Sequence, residues 1–411
     1  MANVSTLREY LASGGLHILR ARTEWSLMRF DEIKAGVVGI GFIGAAHVEA
    51  LRRLGVDVAG VVGSTPERAR AKAEATGLGR VYDSVEEMAA APDIDVIHIA
   101  SPNYAHAEQV RTVLDAGKHV VCEKPLALNS QDTADLVIRA LASGLVNAVC
   151  FNIRFYPANH QAMAMVASGA IGEPRLITGS YHQDWLLLET DWNWRLQPEE
   201  AGRLRAVADI GSHWLDLVRF ISGRNVTEVM ADLYTLVPVR RHPAGPVETF
   251  ASVSDDEDLV EEVMSSDDAA GILLRFEDGA RGVVTISQVS AGQKNALRYE
   301  IAGSESALRW FSAEPDDLFI GHRGRPNEVL SRDAGLYAPE AARLVAYPGG
   351  HVEGFPDTFR ALFSRVYADV ANGSPAENPA YPIFADGHDA MLVTDAIAES
   401  HETQRWTAVK R

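Results

Sequence analysis

The sequence predicts an α/β protein with two domains: an N-terminal doubly wound parallel sheet, then an α+β domain with a large, open and mostly antiparallel sheet. Short apolar runs alternate with amphipathic helical patterns up to about residue 151, and strand-like alternation follows from about residue 155. The length of 411 residues also exceeds what one hydrophobic core usually supports. We place the domains at residues 34–155 and 156–411, with residues 1–33 as an N-terminal extension.

The first domain is predicted from apolar runs of strand length and from the helical patterns that fill the gaps between them. Strands are expected at residues 35–40, 56–62, 94–100, 118–122 and 146–151, with a short additional strand at Val81-Tyr82. Helices are expected at residues 42–54, 66–76, 103–117 and 130–143. Sheets of this kind bind ligands beyond the carboxyl ends of their strands, so the turns after the strands are candidate site segments.

A glycine-rich turn with the pattern G-x-G-x-x-G links the first strand to the first helix. Its first glycine permits a tight turn, its second lets the backbone approach a pyrophosphate, and its third lets helix pack on strand. The free N–H groups at the start of the helix then bind phosphate. The motif predicts a Rossmann dinucleotide-binding domain, with these cofactor-binding residues: Gly39, Gly41, Phe42, Ile43 and Gly44.

The turn after the second strand bears on the choice of nucleotide. An acidic residue at this strand tip would bind the ribose 2′-hydroxyl of NAD. The chain instead has Gly63-Ser64-Thr65-Pro66-Glu67-Arg68, with no carboxylate at the tip. We therefore expect NADP rather than NAD and assign Ser64, Thr65 and Arg68 to the cofactor site. The alternative is that a hydroxyl only caps the helix and that Arg68 is a solvated surface residue.

Two further turns follow strands of the predicted sheet. Ser101, Pro102 and Asn103 follow the strand at 94–100, and we assign them to the cofactor, although Asn103 also suits a helix cap. His106 is assigned to the same set rather than to catalysis, with packing as the alternative.

Glu123-Lys124-Pro125 directly follows the strand at 118–122. There, the Lys124 ammonium would hydrogen-bond a substrate hydroxyl and stabilise the alkoxide that develops as hydride leaves. Glu123 and Lys124 are also assigned to the cofactor. The alternative is a solvated lysine on a turn that proline stiffens.

An aspartate and a histidine four residues apart supply a candidate acid–base pair in the second domain. Asp209 and His213 would share a face at the start of a helix. Histidine suits proton removal near neutral pH, and a carboxylate can orient it and stabilise its charged form. We assign both residues to catalysis, and the alternative is a helix cap with a half-buried histidine.

The second domain is predicted to combine a sheet with a few helices. Strands are expected at residues 175–182, 226–236, 271–276, 282–290 and 297–302, with a hairpin turn at Glu277-Asp278-Gly279. Helices are expected near residues 158–168, 212–221, 354–371 and 385–400, and an exposed polar connection at 252–268.

Aromatic rings beside hydrogen-bonding side chains indicate where a carbohydrate would bind, because sugars present apolar C–H faces and polar rims. At least one tryptophan of this region is expected in the core instead. No cluster of histidine and cysteine has metal-ligand spacing, so we predict no metal. The candidate substrate-binding residues are Asn152, Arg154, Gln183, Trp185, Trp194, Arg195 and His351.

Composition limits the classes of partner. A formal net charge of −18 argues against nucleic acid and anionic membrane surfaces, and no apolar run reaches the length of a membrane helix. Cys122 and Cys150 fall in apolar strands, which predicts buried free thiols and a cytoplasmic location.

The glycine loop, the Ser101-Pro102-Asn103 turn, Glu123-Lys124-Pro125 and Asp209-x-Gly-x-His213 together resemble the glucose–fructose oxidoreductase / inositol dehydrogenase (Gfo/Idh/MocA) family, from about residue 34 to the C-terminus. The resemblance implies a Rossmann domain followed by an open sheet that commonly makes subunit contacts, hence a homodimer or homotetramer. It also implies that Lys124 bridges cofactor and substrate and that His213 is the general base. The acidic strand-tip residue of NAD-using members is absent, which leaves the nucleotide preference open.

The leading functional prediction is an NAD(P)-dependent dehydrogenase that oxidises a hydroxyl of a sugar, anhydrosugar, glycoside or cyclitol by hydride transfer. A second hypothesis is a redox-neutral glycoside hydrolase or lyase that acts through transient oxidation by bound NAD. A third is a non-catalytic nucleotide-sensing protein, against which the joint presence of Lys124, Asp209 and His213 argues.

Overall fold

A six-stranded parallel sheet forms the centre of the first domain in the computed structural model, which describes residues 30–244 and 259–411. Its strands are β1 (Lys34–Val38), β2 (Asp57–Val62), β3 (Arg80–Val81), β4 (Val96–Ile99), β5 (His119–Cys122) and β6 (Asn147–Val149). They lie in the order β3-β2-β1-β4-β5-β6. The winding direction reverses between β1 and β4, which is where sheets of this topology bind nucleotides.

The carboxyl ends of the central strands are level with one another. Val38 of β1 pairs with Val62 of β2 and with Ile99 of β4, and Ile99 pairs with Cys122 of β5. The turns that follow these strands therefore lie along one edge of the sheet. The residues that begin them are Gly39, Gly63, Ala100 and Glu123.

The helices of the first domain are α1 (Phe42–Arg53), α2 (Pro66–Thr76), α3 (Val85–Ala90), α4 (His106–Asp115) and α5 (Ser130–Ser143). Side chains cap three of them: Thr65 accepts from the Arg68 amide, Ser84 from the Glu87 amide and Asn129 from the Asp132 amide. Helix α4 has no side-chain cap, and neither does α1, which begins directly after its N-cap residue Gly41. The first N–H groups of α1 are therefore left for a ligand.

A nine-stranded sheet forms the second domain, beside a two-stranded hairpin of β9 (Val239–Pro243) and β10 (Leu259–Val263). The large sheet is antiparallel except where β7 and β12 pair in parallel, and its strand order is β16-β15-β14-β13-β7-β12-β11-β8-β17. Its strands are β7 (Pro174–His182), β8 (Val226–Tyr234), β11 (Ala269–Phe276), β12 (Arg281–Ser287), β13 (Ala296–Gly303), β14 (Ser306–Phe311), β15 (Asp317–His322), β16 (Glu328–Ser331) and β17 (Thr407–Ala408).

The helices of the second domain are α6 (Pro157–Ala167), α7 (Pro198–Ala201), α8 (Ser212–Ser222), α9 (Pro339–Ala342), α10 (Phe355–Ala371) and α11 (Phe384–Thr403). Residues of α6, α8 and α11 share one apolar core with the large sheet. Trp214 of α8 is fully buried there and donates its indole N–H to the Arg298 carbonyl (2.8 Å).

Helix α10 packs on the first domain, although it lies some 200 residues after it in the chain. Phe359 and Phe363 belong to the same apolar core as Val37 of β1 and Leu51 of α1. The boundary at residue 155 therefore separates two sheets but not two complete hydrophobic cores.

Most predicted elements are found within two residues of their expected ends, and the hairpin turn is present, with left-handed backbone at Asp278 (φ 60°) and Gly279 (φ 88°). The elements that had not been predicted are helices α3, α7 and α9 and strands β9, β10, β14, β15, β16 and β17. Cys122 and Cys150 are buried free thiols, as predicted. Across the described ranges, no helix has both the length and the apolar character needed to cross a membrane.

The predicted exposed connection at 252–268 is wrong in its C-terminal part. Residues 252–258 lie outside the described residues, but Leu259–Val263 forms β10, which pairs with β9. Asp267 and Asp268 are buried, because the Asp268 carboxylate pairs with Arg205 and Arg240 and Asp267 accepts two backbone N–H bonds. Charge neutralisation thus places a polar segment inside the protein. The N-terminal extension, apart from residues 30–33, is also outside the described part.

Candidate active site

The glycine-rich turn has the geometry that a pyrophosphate requires. Gly39 has φ 86°, and a Cβ there would lie 2.5 Å from the Ala100 carbonyl oxygen. A Cβ on Gly44 would lie 1.8 Å from the Gly39 oxygen, which is the close helix–strand contact expected of the third glycine. A Cβ on Gly41 would meet nothing within 4 Å, so the space in front of the uncapped α1 terminus is open. These residues fit a dinucleotide.

The tip of β2 has no acid, and the turn after it leads into α2, whose first turn carries the exposed residues Glu67 and Arg68. Thr65 caps α2 by accepting the Arg68 amide (3.3 Å), as one of the sequence alternatives anticipated. The Arg68 side chain is exposed. One turn later on the same face, Lys72 Nζ donates to the Ile40 carbonyl of the glycine turn (3.2 Å). This face of α2 therefore borders the glycine turn.

Lys124 and Asp209 come together across the two domains. The Lys124 ammonium donates to the Asp209 carbonyl oxygen (2.7 Å) and to its carboxylate Oδ1 (2.9 Å). Both side chains are mostly buried, at 11% and 17% exposed. The turn after β5 thus meets the start of α8, and it contains a cis peptide bond between Lys124 and Pro125.

The Asp209 carboxylate lies in a cationic and amide environment. Its Oδ1 also accepts from Arg195 Nε (3.3 Å), and its Oδ2 accepts from Gln288 Nε2 (2.8 Å). Burial raises the pKa of Asp209, but the charges of Lys124 and Arg195 outweigh burial and hold it well below its usual range. Asp209 sits in a one-turn π-helix, Val207–Gly211, a conformation frequently found at functional sites.

His213 lies at the start of α8 but is not oriented in the predicted way. The Asp209 carboxylate pairs with Lys124, Arg195 and Gln288, and His213 Nδ1 is buried with no hydrogen-bond partner among the described residues. Charged donors compete better for a carboxylate than a neutral imidazole does. Burial, followed by the charge of Lys124, lowers the pKa of His213 to about 3. The imidazole is therefore neutral in the physiological pH range.

The turn after β4 is joined to the turn after β5 by His106. Its Nδ1 lies 2.8 Å from the Pro125 carbonyl and its Nε2 2.9 Å from the Ser101 carbonyl. His106 is fully buried, so it links the two turns rather than facing a ligand. Asn103 donates to the Ala201 carbonyl of the second domain (3.3 Å). Pro102 begins the turn's short 3₁₀ segment, and Ser101 donates to Gln109 (2.6 Å).

The aromatic loop after β7 contributes to the same region. Arg195 contacts Asp209 and stacks over the Trp194 ring (4.4 Å from its centroid). Trp185 donates to Gln183 Oε1 (2.8 Å), and Gln183 accepts a second bond from Gln288 (3.3 Å). These four predicted residues are therefore connected to the Lys124–Asp209 pair. Trp192 instead is buried and stacks on His242, which confirms a core role for one tryptophan.

Three predicted substrate residues lie elsewhere. Asn152 is buried and donates to Thr358 (2.8 Å). Arg154 is buried and is neutralised by Asp216 and Asp386, so its guanidinium is already occupied. His351 is exposed on the loop before α10, and its Nδ1 lies 3.2 Å from the Pro348 carbonyl. We leave these three out of the proposed site.

Sequence reasoning missed Gln288, a buried residue that donates a hydrogen bond to the Asp209 carboxylate. Gln288 is fully buried; its Oε1 accepts from Arg205 (2.8 Å), which turns its amide N–H₂ group toward Asp209. Only the parallel pairing of β7 with β12, which sets Ser287 beside His182, brings Gln288 to this position. No local pattern in the sequence predicts the contact between Gln288 and Asp209.

One group of possible metal ligands occurs within the described part of the chain: the ligand atoms of His47, Glu123 and Cys150 lie within 4.8 Å of one another. All three are buried, and His47 Nε2 contacts Glu123 Oε1 at 3.1 Å. The Cys150 Sγ lies 3.8 Å from the same His47 Nε2, so the three side chains contact one another. Hydrogen bonding accounts for this group.

Comparisons with known proteins agree with this architecture. Residues 33–151 match the family described as "Oxidoreductase family, NAD-binding Rossmann fold", and residues 159–309 match "GFO/IDH/MocA C-terminal domain". The two matches cover the parallel sheet and most of the second domain.

Individual relatives are similar over almost their whole length. The chain is 29% identical over 398 residues to levoglucosan dehydrogenase of Pseudarthrobacter phenanthrenivorans, covering 92% of this chain and 98% of the relative. A structure of levoglucosan dehydrogenase in complex with NADH and L-sorbose superposes with a TM-score of 0.82 at 28% identity, covering 92% and 99% of the two chains. An inositol dehydrogenase homolog complexed with NAD⁺ from Azotobacter vinelandii gives 0.80 at 26% identity, covering 92% and 97%.

Proposed function

Because the chain belongs to the Gfo/Idh/MocA oxidoreductase family and carries its NAD-binding Rossmann domain, we propose that it is a dehydrogenase of a cyclic sugar, anhydrosugar, glycoside or cyclitol hydroxyl. The observation that carries the proposal is the Lys124–Asp209 contact. It brings the ammonium after β5 to the start of α8, at the edge of the sheet where the glycine turn also lies. The similarity to levoglucosan and inositol dehydrogenases supports the substrate class.

The proposed chemistry removes two hydrogens from the CH–OH group: the carbon-bound hydrogen goes to the nucleotide as hydride, and the hydroxyl proton goes to the protein. A nicotinamide nucleotide bound at the glycine turn supplies the hydride acceptor. Lys124 binds the hydroxyl oxygen and stabilises the negative charge that develops there. His213 is neutral and accepts the proton, and the hydroxyl becomes strongly acidic as hydride departs, so a weak base suffices.

Asp209 has a different part in the proposed mechanism from the one expected from sequence. Its carboxylate holds the Lys124 ammonium in place and is itself held by Arg195 and Gln288. The aromatic loop with Gln183, Trp185, Trp194 and Arg195 provides ring faces and hydrogen-bond donors for a sugar. These side chains orient the substrate rather than react with it.

The function is tested by turnover on a small panel. Levoglucosan, myo-inositol and a simple glycoside are incubated with NAD⁺ and with NADP⁺, and nucleotide reduction and sugar products are both measured. The proposal expects a reduced nucleotide and a ketone product in equal amounts with at least one compound. A cleaved glycoside without net nucleotide reduction would support the redox-neutral alternative, and binding without any turnover would support a non-catalytic protein.

We further propose that NADP is preferred over NAD. The strand tip has no acid, and Arg68 and Lys72 place two cations on the face of α2 that borders the glycine turn. Arg68→Ser is expected to raise the KM for NADP about 10-fold, since a charge-assisted hydrogen bond contributes about 1.5 kcal/mol, and to leave the KM for NAD unchanged. Steady-state kinetics with both nucleotides measures this.

Arg70→Ser is the matched control, because Arg70 is also exposed on the same helix but pairs with Asp83 (3.7 Å). Its KM values should equal those of the parent protein. Equal effects of Arg68→Ser on both nucleotides would contradict a role for Arg68 in binding a 2′-phosphate.

We also propose that the large sheet joins subunits into a homodimer or homotetramer. Leu273 and Val283 are register partners on β11 and β12 and are 47% and 37% exposed. Leu273→Asp is expected to shift the sedimentation coefficient toward the monomer, because it places a charge in an apolar contact. Leu141→Asp is the control, because Leu141 is 75% exposed on α5 of the other domain. A parent protein that sediments as a monomer would contradict this proposal.

A cytoplasmic location is our expectation from the two free thiols.

A further inference from the structure

A row of four buried side chains extends from Glu123 away from the candidate active site. Glu123 Oε1 contacts His47 Nε2 (3.1 Å), His47 Nδ1 contacts His98 Nδ1 (3.0 Å), and His98 Nε2 contacts the Tyr367 hydroxyl (2.9 Å). None of the four is more than 7% exposed. They come from α1, β4, the turn after β5 and α10, so the row joins the helix of the glycine turn to the turn that carries Lys124.

The Glu123 end of this row is an anion. Burial raises the pKa of Glu123, but the hydrogen bond and charge of His47, with smaller contributions from Lys124 and His213, bring it below its usual value. A carboxylate only accepts hydrogen bonds, so His47 Nε2 carries a proton and donates it. Burial and the neighbouring His47 lower the pKa of His98 well below its usual value, so the His98 ring is neutral.

The second oxygen of Glu123 reaches the catalytic lysine itself. Glu123 Oε2 accepts the backbone N–H of Lys124 (3.2 Å), and the Lys124 side chain then holds Asp209. A continuous set of hydrogen bonds therefore runs from α1 through His47 and Glu123 to Lys124. Without the His47 donor, a buried carboxylate would lose a side-chain hydrogen bond and either take up a proton or move.

We propose that His47 is a positioning residue for the dehydrogenase reaction: it donates to Glu123 Oε1, holds that carboxylate in place, and thereby fixes the backbone and ammonium of Lys124. The proposal rests on the proposed function. It predicts that loss of the donor harms kcat more than nucleotide binding, because the α1 terminus and its N–H groups remain in place.

The test compares His47→Leu, which removes the donor, with His47→Gln, whose amide can still donate to Glu123. We expect kcat to fall about 10- to 100-fold in His47→Leu and less than about 5-fold in His47→Gln, with the KM for nucleotide within about 3-fold of the parent in both. His160→Leu is the control, because it removes another histidine packed against aromatic rings, and the Nε2 of His160 has no hydrogen-bond partner in the described part of the chain. It should leave kcat unchanged.

A second measurement is made on the nucleotide-free protein and does not depend on turnover. Acetylation of Lys124 by acetic anhydride, followed by mass spectrometry of its peptide, should be faster in His47→Leu than in the parent, because the lysine is held less firmly. Acetylation of Lys118, just before β5, serves as the internal reference. If the parent lacks dehydrogenase activity, the proposed function fails, yet this measurement still tests the link from His47 to Lys124.

Equal kcat in the parent and His47→Leu, together with equal acetylation of Lys124, would overturn the proposal. Equal losses in His47→Leu and His47→Gln would also overturn it, since only the donor distinguishes them. If His47→Leu does not fold, Glu123→Gln replaces it. The same loss of kcat and the same faster acetylation of Lys124 are then expected. A parent-like kcat together with a parent-like acetylation rate would contradict the proposal.

Discussion

Lys124→Met is expected to lower kcat by about 100- to 1,000-fold and to leave nucleotide affinity within about 2-fold of the parent. The loss is that of a cationic donor at the oxygen where charge develops, and donors of this kind contribute factors of that size. The Asp209 carboxylate would keep Arg195 and Gln288 as partners, so the variant should fold. Single-turnover kinetics and nucleotide titration measure the two quantities separately.

Lys118→Met provides the matched control for this prediction. Lys118 lies just before the same strand, β5, and its ammonium donates to the carbonyls of Ala91 and Ile94 at the opposite end of the sheet. The control should retain parent-like kcat. Parent-like turnover in Lys124→Met would remove the lysine from the mechanism.

His213→Phe is expected to lower kcat by about 100- to 10,000-fold, the range over which a positioned general base acts. A phenyl ring should fit the buried position, because Phe151 and Tyr181 already surround the imidazole with ring centroids 6.0 and 6.4 Å away. Thermal unfolding of the variant checks that the fold is kept. A loss smaller than about 10-fold would mean that another group takes the proton.

The pH dependence of kcat/KM tests the protonation state of His213 independently. Its pKa of about 3 lies below the ordinary value because burial and Lys124 disfavour the charged ring. A base with a lowered pKa stays unprotonated as the pH falls, so this group should cause no loss of kcat/KM between pH 8 and pH 5. An acid limb near pH 6.5 that disappears in a partly active His213→Gln variant would contradict this.

The parallel sheet was predictable because its signals are local. Each strand is a short apolar run, each helix has its own period and cap, and the glycine pattern needs only the strand before it and the helix after it. Level strand ends then place the turns after β1, β4 and β5 side by side without any knowledge of side-chain contacts. The candidate lysine and glycines were found in this way.

The partners of charged side chains were not predictable, because they depend on contacts between distant parts of the chain. Arg154 has the residue type of a substrate ligand, yet Asp216 and Asp386, 62 and 232 residues later, neutralise it in the interior. Asp209 lies four residues from His213, yet the Asp209 carboxylate accepts a hydrogen bond from Lys124, which lies 85 residues earlier. Sequence spacing along one helix identified both residues but assigned the wrong pairing.

Buried supporting residues were missed for a related reason. His47 and His98 have apolar neighbours in the sequence and suggest core histidines. Their importance comes only from the row that they form with Glu123 and Tyr367, which joins four separate elements.

The central claim is that Lys124 and His213 act on the same hydroxyl beside the nicotinamide. A crystal structure of the protein with reduced nucleotide and a bound sugar tests it most directly. We expect Lys124 Nζ and a ring nitrogen of His213 to lie within about 3.2 Å of one sugar oxygen, with its carbon facing the nicotinamide. A sugar bound with either side chain turned away from that oxygen would contradict the claim.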